Sequence, residues 1–311
     1  MEKILILEPR FYPAHATKEL EKYGRIETAT DPRQISDKIK DATVVLAWVQ
    51  NKLDKRFIDA APRVKIIATA SAGVNHIDQD YAKSKGITVL SAPGCNSRAV
   101  AEFTVGLMLS LLNRIPSAFD DVKKGNWKPL GFIGSQLENK TLGLVGFGKI
   151  PKIVAHIAQG FGMRIIANDP FLSKKDIEDF GVKSVTVQEI FEGSHVISLH
   201  TPLLPETKNM INEKQIEKMK KGVSIINTSR GEVVDEAAIV KYLKNGKISG
   251  YACDVLVGEP PTESLILKAV NDHSIDNVII TPHIAHSSEE AIEKCGSFVV
   301  EQVKEILSKK V

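Results

Sequence analysis

The chain has 311 residues, enough for two domains that each bury a core of their own. Hydrophobic residues make up 43% and charged residues 25%, and 41 basic against 38 acidic residues leave +3. That surplus is too small and too scattered for a nucleic-acid footprint, and no apolar run reaches the roughly 18 to 20 residues that a bilayer span requires.

Residues Lys3 to Glu8 form a short apolar run without a small-residue cleavage site, which predicts a first strand and not a signal peptide. Over the first hundred residues four such runs, KILILE, TVVLAW, VKIIATA and ITVLSA, alternate with helical patterns, and this order predicts a parallel sheet covered on both faces. Ser71, Ala72, Gly73, Val74 and Asn75 make a small-residue loop at the carboxyl end of the third run, where open α/β sheets bind ligands. Gly94, Cys95, Asn96 and Ser97 then lead into AVAEFTVGLMLSLLNRI, apolar nearly all round. A helix of that kind is expected to be buried between domains or subunits, and its position marks the crossing into a second domain. Residues 116 to 140, with Trp127 and several glycines, read as a surface excursion.

From Thr141 the alternation resumes as LGLVGF, MRIIAND, HVISLHTP, GVSIINTS, ISGYACDV and NVIITPHI, six predicted strands. Gly146, Phe147 and Gly148 turn the first of these into a helix that ends near Gly160, and Asp169 follows the next strand, twenty-one positions after Gly148. Strand, Gly-rich turn, helix, strand and acidic residue are the parts of a dinucleotide site. Glycine permits the turn and the close approach of a pyrophosphate, the helix N-terminus supplies unpaired N–H groups, and the carboxylate binds an adenosine ribose while repelling a ribose phosphate. NAD is therefore expected over NADP. Pro151 stands at the third glycine position of GxGxxG, which proline tolerates in a first helical turn. A methyltransferase, whose Gly-rich turn also precedes an acidic residue, is the rival reading of this stretch.

Later strands end in polar or proline-bearing loops at His200 to Pro202, Thr228 to Gly231, Asp254 to Pro261 and Thr281 to Ser287, all on the edge that carries the Gly-rich turn. Singly, Arg230 could be a surface cation, Glu259 a solvated loop residue and His283 a core histidine. Together they supply what reduction of a 2-keto acid needs: a fork for carboxylate and carbonyl, a proton donor, and a carboxylate that favours the donor's charged form. The final helix, Ser288 to Lys309, is long enough to return to the first domain. Cys95, Cys253 and Cys295 are odd in number, without metal-like spacing, and fit a reducing cytoplasm with no bound metal.

SAGVNHID, GCNSRAVAEFTVGLML, LGLVGFGKI with Asp169, HTPLLPETKNMIN, INTSRGEVVDEAAI, ACDVLVGEPP and TPHIAHSSEEA resemble, in order, the successive signatures of the D-isomer-specific 2-hydroxyacid dehydrogenases. The resemblance spans about residues 40 to 305. It implies an α/β fold of two doubly wound parallel-sheet domains, a Rossmann-type NAD-binding domain (98–287) inserted into a flavodoxin-like substrate domain (1–97, completed by 288–311), with the active site in the cleft. It further implies that Arg230 orients the substrate, Glu259 is the partner carboxylate and His283 the acid/base. Ser71, Gly73, Val74 and Asn96 form the implied substrate-binding set, with the amides of Gly73 and Val74 on the carboxylate. Gly146, Gly148, Lys149, Ile150, Asp169, His200, Thr201, Pro202, Thr207, Thr228 and Asp254 form the cofactor set, Asp254 on the nicotinamide side.

His195, where an aspartate is usual, and His286, where a small residue is usual, depart from the pattern. His286 is the alternative acid. The first-domain pattern is most similar to short phosphoglycerate dehydrogenases without a regulatory domain, but the loop AWVQNKLDK has no arginine for a phosphate, only Lys52, Lys55 and Arg98 nearby in sequence. Glyoxylate or hydroxypyruvate reduction is the alternative. A non-catalytic NAD-sensing interaction protein is the rival class, since some relatives are transcriptional corepressors. A homodimer is expected, as in the family, from the apolar helix Ala99 to Ile115.

Overall fold

In each of two units the alternation of apolar runs and helices builds a parallel sheet. The structure is a computed structural model that describes residues 2–309; one unit ends at Asn96 and resumes at His286, and the other is Ser97–Ala285. Among the described residues no helix is long and apolar enough to cross a membrane.

The first unit contains β1 (Glu2–Ile6), β2 (Gly24–Thr28), β3 (Val44–Ala47), β4 (Ile66–Thr69) and β5 (Thr88–Leu90), in the order β2-β1-β3-β4-β5. This is the flavodoxin-like order. Central β3 and β4 are buried at every position, as strands covered on both faces must be. The helix Glu289–Ser308 places Cys295, Val299, Val303 and Leu307 at four-residue spacing in one core with Ile4, Leu46 and Ile66. Its N-terminus is capped by Ser288 Oγ, which accepts from the amide of Ala291 at 3.1 Å. Burying side chains of this size contributes roughly 1.5 to 3 kcal/mol each, so the terminal helix is integral to this unit. The sequence reading missed β2, an edge strand in which Arg25 and Thr28 are exposed and Ile26 is the lone large aliphatic side chain.

The second unit contains β6 (Thr141–Val145), β7 (Arg164–Asn168), β8 (Lys183–Ser184), β9 (Val196–Leu199), β10 (Val223–Asn227), β11 (Ile248–Cys253) and β12 (Val278–Ile280). Their order is β12-β11-β10-β9-β6-β7-β8, a Rossmann order extended by one strand. Two-residue β8 lies at the edge and was also missed, being too short for any periodicity. The chain reverses direction across the sheet between β6 and β9, which pair directly, and ligands of open sheets bind at that switch point.

The helix Ser97–Leu112 corrects an expectation. It is not apolar all round: Arg98, Glu102 and Gly106 are exposed, while Val105, Met108, Leu111 and Leu112 share a core with Val154, Ala155 and Ala158 of the helix Lys149–Gly160. Its burial is thus accounted for inside its own unit. The excursion that follows begins with a nine-residue helix, Ile115–Lys123, none of whose residues is buried. Ile115, Phe119, Trp127, Leu130 and Ile133 are all exposed along it, Trp127 by 82%.

Candidate active site

The Gly-rich turn sits at the switch point for two separate physical reasons. Gly146 has φ +90°, and a Cβ there would lie 2.8 Å from the carbonyl oxygen of His200 at the end of β9. Both the left-handed backbone and the close approach demand glycine. Gly148 is different: its φ is −76°, and a Cβ would meet no protein atom within 4 Å. It is the N-cap of the twelve-residue helix Lys149–Gly160 and offers no side-chain cap, so the first amides of that helix, including those of Lys149 and Ile150, have no partner within the helix. Pro151 is buried at the third helical position and the helix continues past it to Gly160, since the N–H it lacks has no intrahelical acceptor.

Asp169 follows β7 and faces the same turn. Its Oδ2 accepts from the amide of Phe147 at 2.8 Å and its Oδ1 from the amide of Phe171 at 2.9 Å. Each oxygen has a second lone pair, so two ribose hydroxyls could still be accepted. An open helix N-terminus next to a fixed carboxylate fits a dinucleotide. The remaining cofactor candidates lie on the same edge. Burial pushes the His200 imidazole down to about 3, so it is neutral, and its Nε2 lies 2.9 Å from Ser198 Oγ. Buried Thr201 contacts the sulfur of Met210 at 3.9 Å, Thr207 Oγ1 donates to the carbonyl of Pro202 at 2.6 Å, and Thr228 Oγ1 is 2.9 Å from Thr104 Oγ1.

Arg230, Glu259 and His283 come from the ends of β10, β11 and β12, which are neighbours in the sheet. The Nδ1 of His283 and the Oε2 of Glu259 are 2.6 Å apart, and Glu259 Oε1 accepts from the amide of Leu256 at 3.2 Å. Burial pushes the Glu259 carboxyl up, but the hydrogen bond and charge of His283, the Leu256 amide and the charge of Arg230 outweigh it and hold the group below its ordinary value. Gly231 draws the two loops together: a Cβ there would lie 2.1 Å from the carbonyl carbon of Leu256, so the turn bearing Arg230 is pressed against the backbone that donates to Glu259. The Arg230 guanidinium donates to its neighbour's carbonyl, Ser229 O, at 2.7 Å.

His283 has φ +56°, a left-handed conformation that costs about 1 to 3 kcal/mol and persists only where surroundings enforce it. Asp254 enforces it. Its carbonyl accepts from the His283 amide at 2.8 Å, and its carboxylate, 1% exposed, accepts from Thr281 Oγ1 at 2.6 Å and from the amides of Ile284 and Ala285 at 2.9 and 2.8 Å. In this structure, then, Asp254 holds the histidine loop.

The substrate-binding candidates belong to the other unit. Ser71 Oγ donates to the carbonyl of Gly73 at 2.7 Å and lies 2.9 Å from Thr69 Oγ1, which in turn is 3.2 Å from His76 Nε2. Burial pushes His76 down to about 4, leaving it neutral. Gly73 and Val74 are half-buried, and Asn96 lines a small cavity of about 10 Å³ with Trp48, His286 and Cys295. The His286 ring rests against Trp48 at 5.2 Å between centroids, so the imidazole that meets Glu259 is that of His283. His195 serves the sheet: its Nδ1 accepts from the amide of Thr141 at 3.0 Å, and desolvation lowers its proton affinity.

Sequence reasoning missed several residues that shape this site. Asn227 ends β10 fully buried, accepts from the amide and hydroxyl of Ser229, and donates to the carbonyl of Arg230 at 2.9 Å, which sets the turn. The signal was present, because asparagine at a strand end is a turn former. Thr281 and Glu236 gave no comparable signal.

Residues 105–285 match the family described as D-isomer specific 2-hydroxyacid dehydrogenase, NAD binding domain. Over 310 residues, 99% of its length, the chain is 40% identical to the D-3-phosphoglycerate dehydrogenase of Methanocaldococcus jannaschii, of which it covers 58%. It thus spans little more than half of that relative. The hydroxypyruvate reductase of Thermotoga maritima is 41% identical over 265 residues, 85% of each chain. Among solved structures, the D-lactate dehydrogenase of Aquifex aeolicus complexed with NAD and lactic acid is 32% identical with a TM-score of 0.78, over 99% of this chain and 96% of that one.

Proposed function

Because the chain belongs to the D-isomer specific 2-hydroxyacid dehydrogenase family, we propose that it interconverts a small 2-keto acid and its D-2-hydroxy acid with NAD. The observation that carries this reading is the 2.6 Å contact of Glu259 with His283, in a unit whose Arg230 bears electrostatically on the same carboxylate. When bound, the reduced nicotinamide supplies the hydride. Arg230 orients the keto acid through a planar fork that matches carboxylate and carbonyl oxygens. Glu259 fixes the imidazole at Nδ1 and favours its charged form, which leaves Nε2 to give a proton to the keto oxygen in reduction and to take it back in oxidation. Asp254 holds the loop in which His283 stands.

Gly146, Gly148, the first amides of the helix Lys149–Gly160, and Asp169 are assigned to the dinucleotide; Ser71, Gly73, Val74 and Asn96 are assigned to the substrate, with the amides of Gly73 and Val74 on its carboxylate. For the acid itself, phosphoglycerate and hydroxypyruvate or glyoxylate are the two readings. Of the three cations near the loop AWVQNKLDK in sequence, Lys55 Nζ lies over the Tyr81 ring at 5.1 Å and Arg98 is paired with Glu102 at 2.5 Å. Both contacts are local surface ones, so phosphate recognition is left to the substrate panel. The exposed apolar side chains between Ile115 and Ile133 form the surface through which we assign a homodimer, and three free cysteines suit a cytoplasmic setting.

The test is a panel of 3-phosphohydroxypyruvate, hydroxypyruvate, glyoxylate and pyruvate assayed with NADH and with NADPH. Reduction of at least one acid with NADH preferred is expected. Saturable NADH binding with no turnover on any 2-keto acid would overturn the enzymatic reading in favour of a cofactor-sensing protein.

A further inference from the structure

We infer that Glu236 is a positioning residue for the Glu259–His283 pair, acting as the clamp that closes the loop on which Glu259 stands. The inference rests on the roles given above to Glu259 and His283. Glu236 is the first residue of the helix Glu236–Lys244, yet it does not cap it: the preceding Asp235 does so, accepting from the amides of Ala237 and Ala238 at 3.0 and 3.3 Å. The Glu236 side chain is instead buried, 8% exposed, and directed at the loop that runs from β11 to the next helix. Its Oε1 accepts from the amide of Val257 at 3.4 Å, its Oε2 from the amide of Leu265 at 2.7 Å, and both oxygens accept from Ser264 Oγ at 3.0 and 2.9 Å.

Those donors bracket the loop. Val257 stands two residues before Glu259 and directly after Leu256, whose amide donates to Glu259; Ser264 and Leu265 stand at the far end. Residues 257 to 260, from the first anchor past Glu259, are exposed, so burial does not hold them in place. One carboxylate therefore fixes both ends of a segment whose middle carries Glu259. The choice of residue type follows from the donors. Two amides and a hydroxyl converge on it, and only a group that accepts at both oxygens satisfies them all. A glutamine of the same shape would turn an NH2 donor toward one of those donors, and one of the contacts that hold the loop would be lost. Gly231 packs the Arg230 turn against Leu256 and Val257, so movement of this loop would also disturb the geometry between Arg230 and Glu259.

The experiment compares Glu236→Gln, Glu259→Gln and the double variant, reading turnover of the best keto acid, the pH profile of reduction and NADH affinity. Glu236→Gln is expected to lower kcat at least tenfold, to move the pH profile in the direction in which Glu259→Gln moves it, and to leave the NADH Kd within twofold. Added to Glu259→Gln, it is expected to cost less than a further twofold, because both changes act through one pair. A general structural role would give equal losses in both backgrounds and an unmoved pH profile, and that result would overturn the inference. If Glu259→Gln moves the profile and Glu236→Gln does not, the inference alone fails. If Glu259→Gln is itself silent, the assignment of the pair fails and the inference falls with it. Should Glu236→Gln not fold, Ser264→Ala, which removes one clamped donor, is expected to give a smaller shift of the same sign; no shift overturns the proposal.

Discussion

Gly146 and Gly148 stand two residues apart in one turn, yet the structure predicts opposite consequences for adding a methyl group to each. At Gly146 an alanine must hold φ near +90°, which costs about 1 to 2 kcal/mol. It must also place Cβ 2.8 Å from the His200 oxygen and 3.0 Å from its carbonyl carbon, so the ends of β6 and β9 have to separate, for about another 1 to 3 kcal/mol. Gly146→Ala is therefore expected to lower stability by about 2 to 5 kcal/mol, or roughly 5 to 15 °C in the melting of a unit of this size. At Gly148 the backbone is extended and the space is open, so alanine should cost about 1 kcal/mol or less, the difference between glycine and alanine at an N-cap. Its methyl group would nonetheless occupy the space through which a pyrophosphate reaches the helix amides. NADH affinity should fall at least tenfold, about 1.4 kcal/mol. Calorimetry and NADH fluorescence titration on both variants separate the two effects. Gly148→Ala with unaltered NADH affinity, or Gly146→Ala melting with the parent protein, would refute the reasoning.

If Asp169 accepts from the ribose as proposed, Asp169→Ala should narrow the preference for NADH over NADPH chiefly by weakening NADH; steady-state KM values for both cofactors test this, and a preference left intact would sink the assignment. The Glu259 carboxyl is held below its ordinary value of 4.5, so its contribution to stability is present above that value and is lost as the pH falls through the lowered one. Urea unfolding of the parent and Glu259→Gln should thus differ at neutral pH by on the order of 1 kcal/mol or less, since 43% of the His283 side chain and 39% of the Glu259 side chain are exposed, and the gap should close in acid. A gap that widens in acid would contradict the sign. In light scattering at micromolar concentration the parent should have a dimeric mass and the variant with Phe119→Asp and Leu130→Asp a monomeric one, with the fold retained; a monomeric parent would contradict the proposed homodimer, and a variant of unchanged dimeric mass would contradict the proposed surface.

Much of this architecture is legible in the sequence because its central strands are continuous apolar runs and its turns carry glycine. What escaped is physically consistent. β2 and β8 lie at sheet edges, where one strand is half exposed and the other spans two residues, so neither leaves a hydrophobic pattern. The helix Ser97–Leu112 looked apolar all round, but Arg98, Glu102 and Gly106 share its exposed face. Arg230, Glu259 and His283 could be singled out because loops at strand ends share one edge of a parallel sheet. Asp254 is named from the sequence as a cofactor residue, but its hold on the histidine loop is not legible there, and Glu236 is not legible at all. They act on amides 30 and 21 or more positions away, through loop geometry that no local pattern records. The left-handed backbone of His283 is likewise a product of those bonds.

The central claim is that His283 moves the proton while Glu259 fixes it and Arg230 orients the acid. Single-turnover reduction of the best keto acid by the NADH-loaded parent and His283→Ala tests it most directly, because bound cofactor is then held constant. Loss of about a hundredfold or more in the hydride-transfer rate, with NADH affinity unchanged, is the predicted result, the usual scale of general acid catalysis. A variant that keeps most of the parent rate would contradict the account.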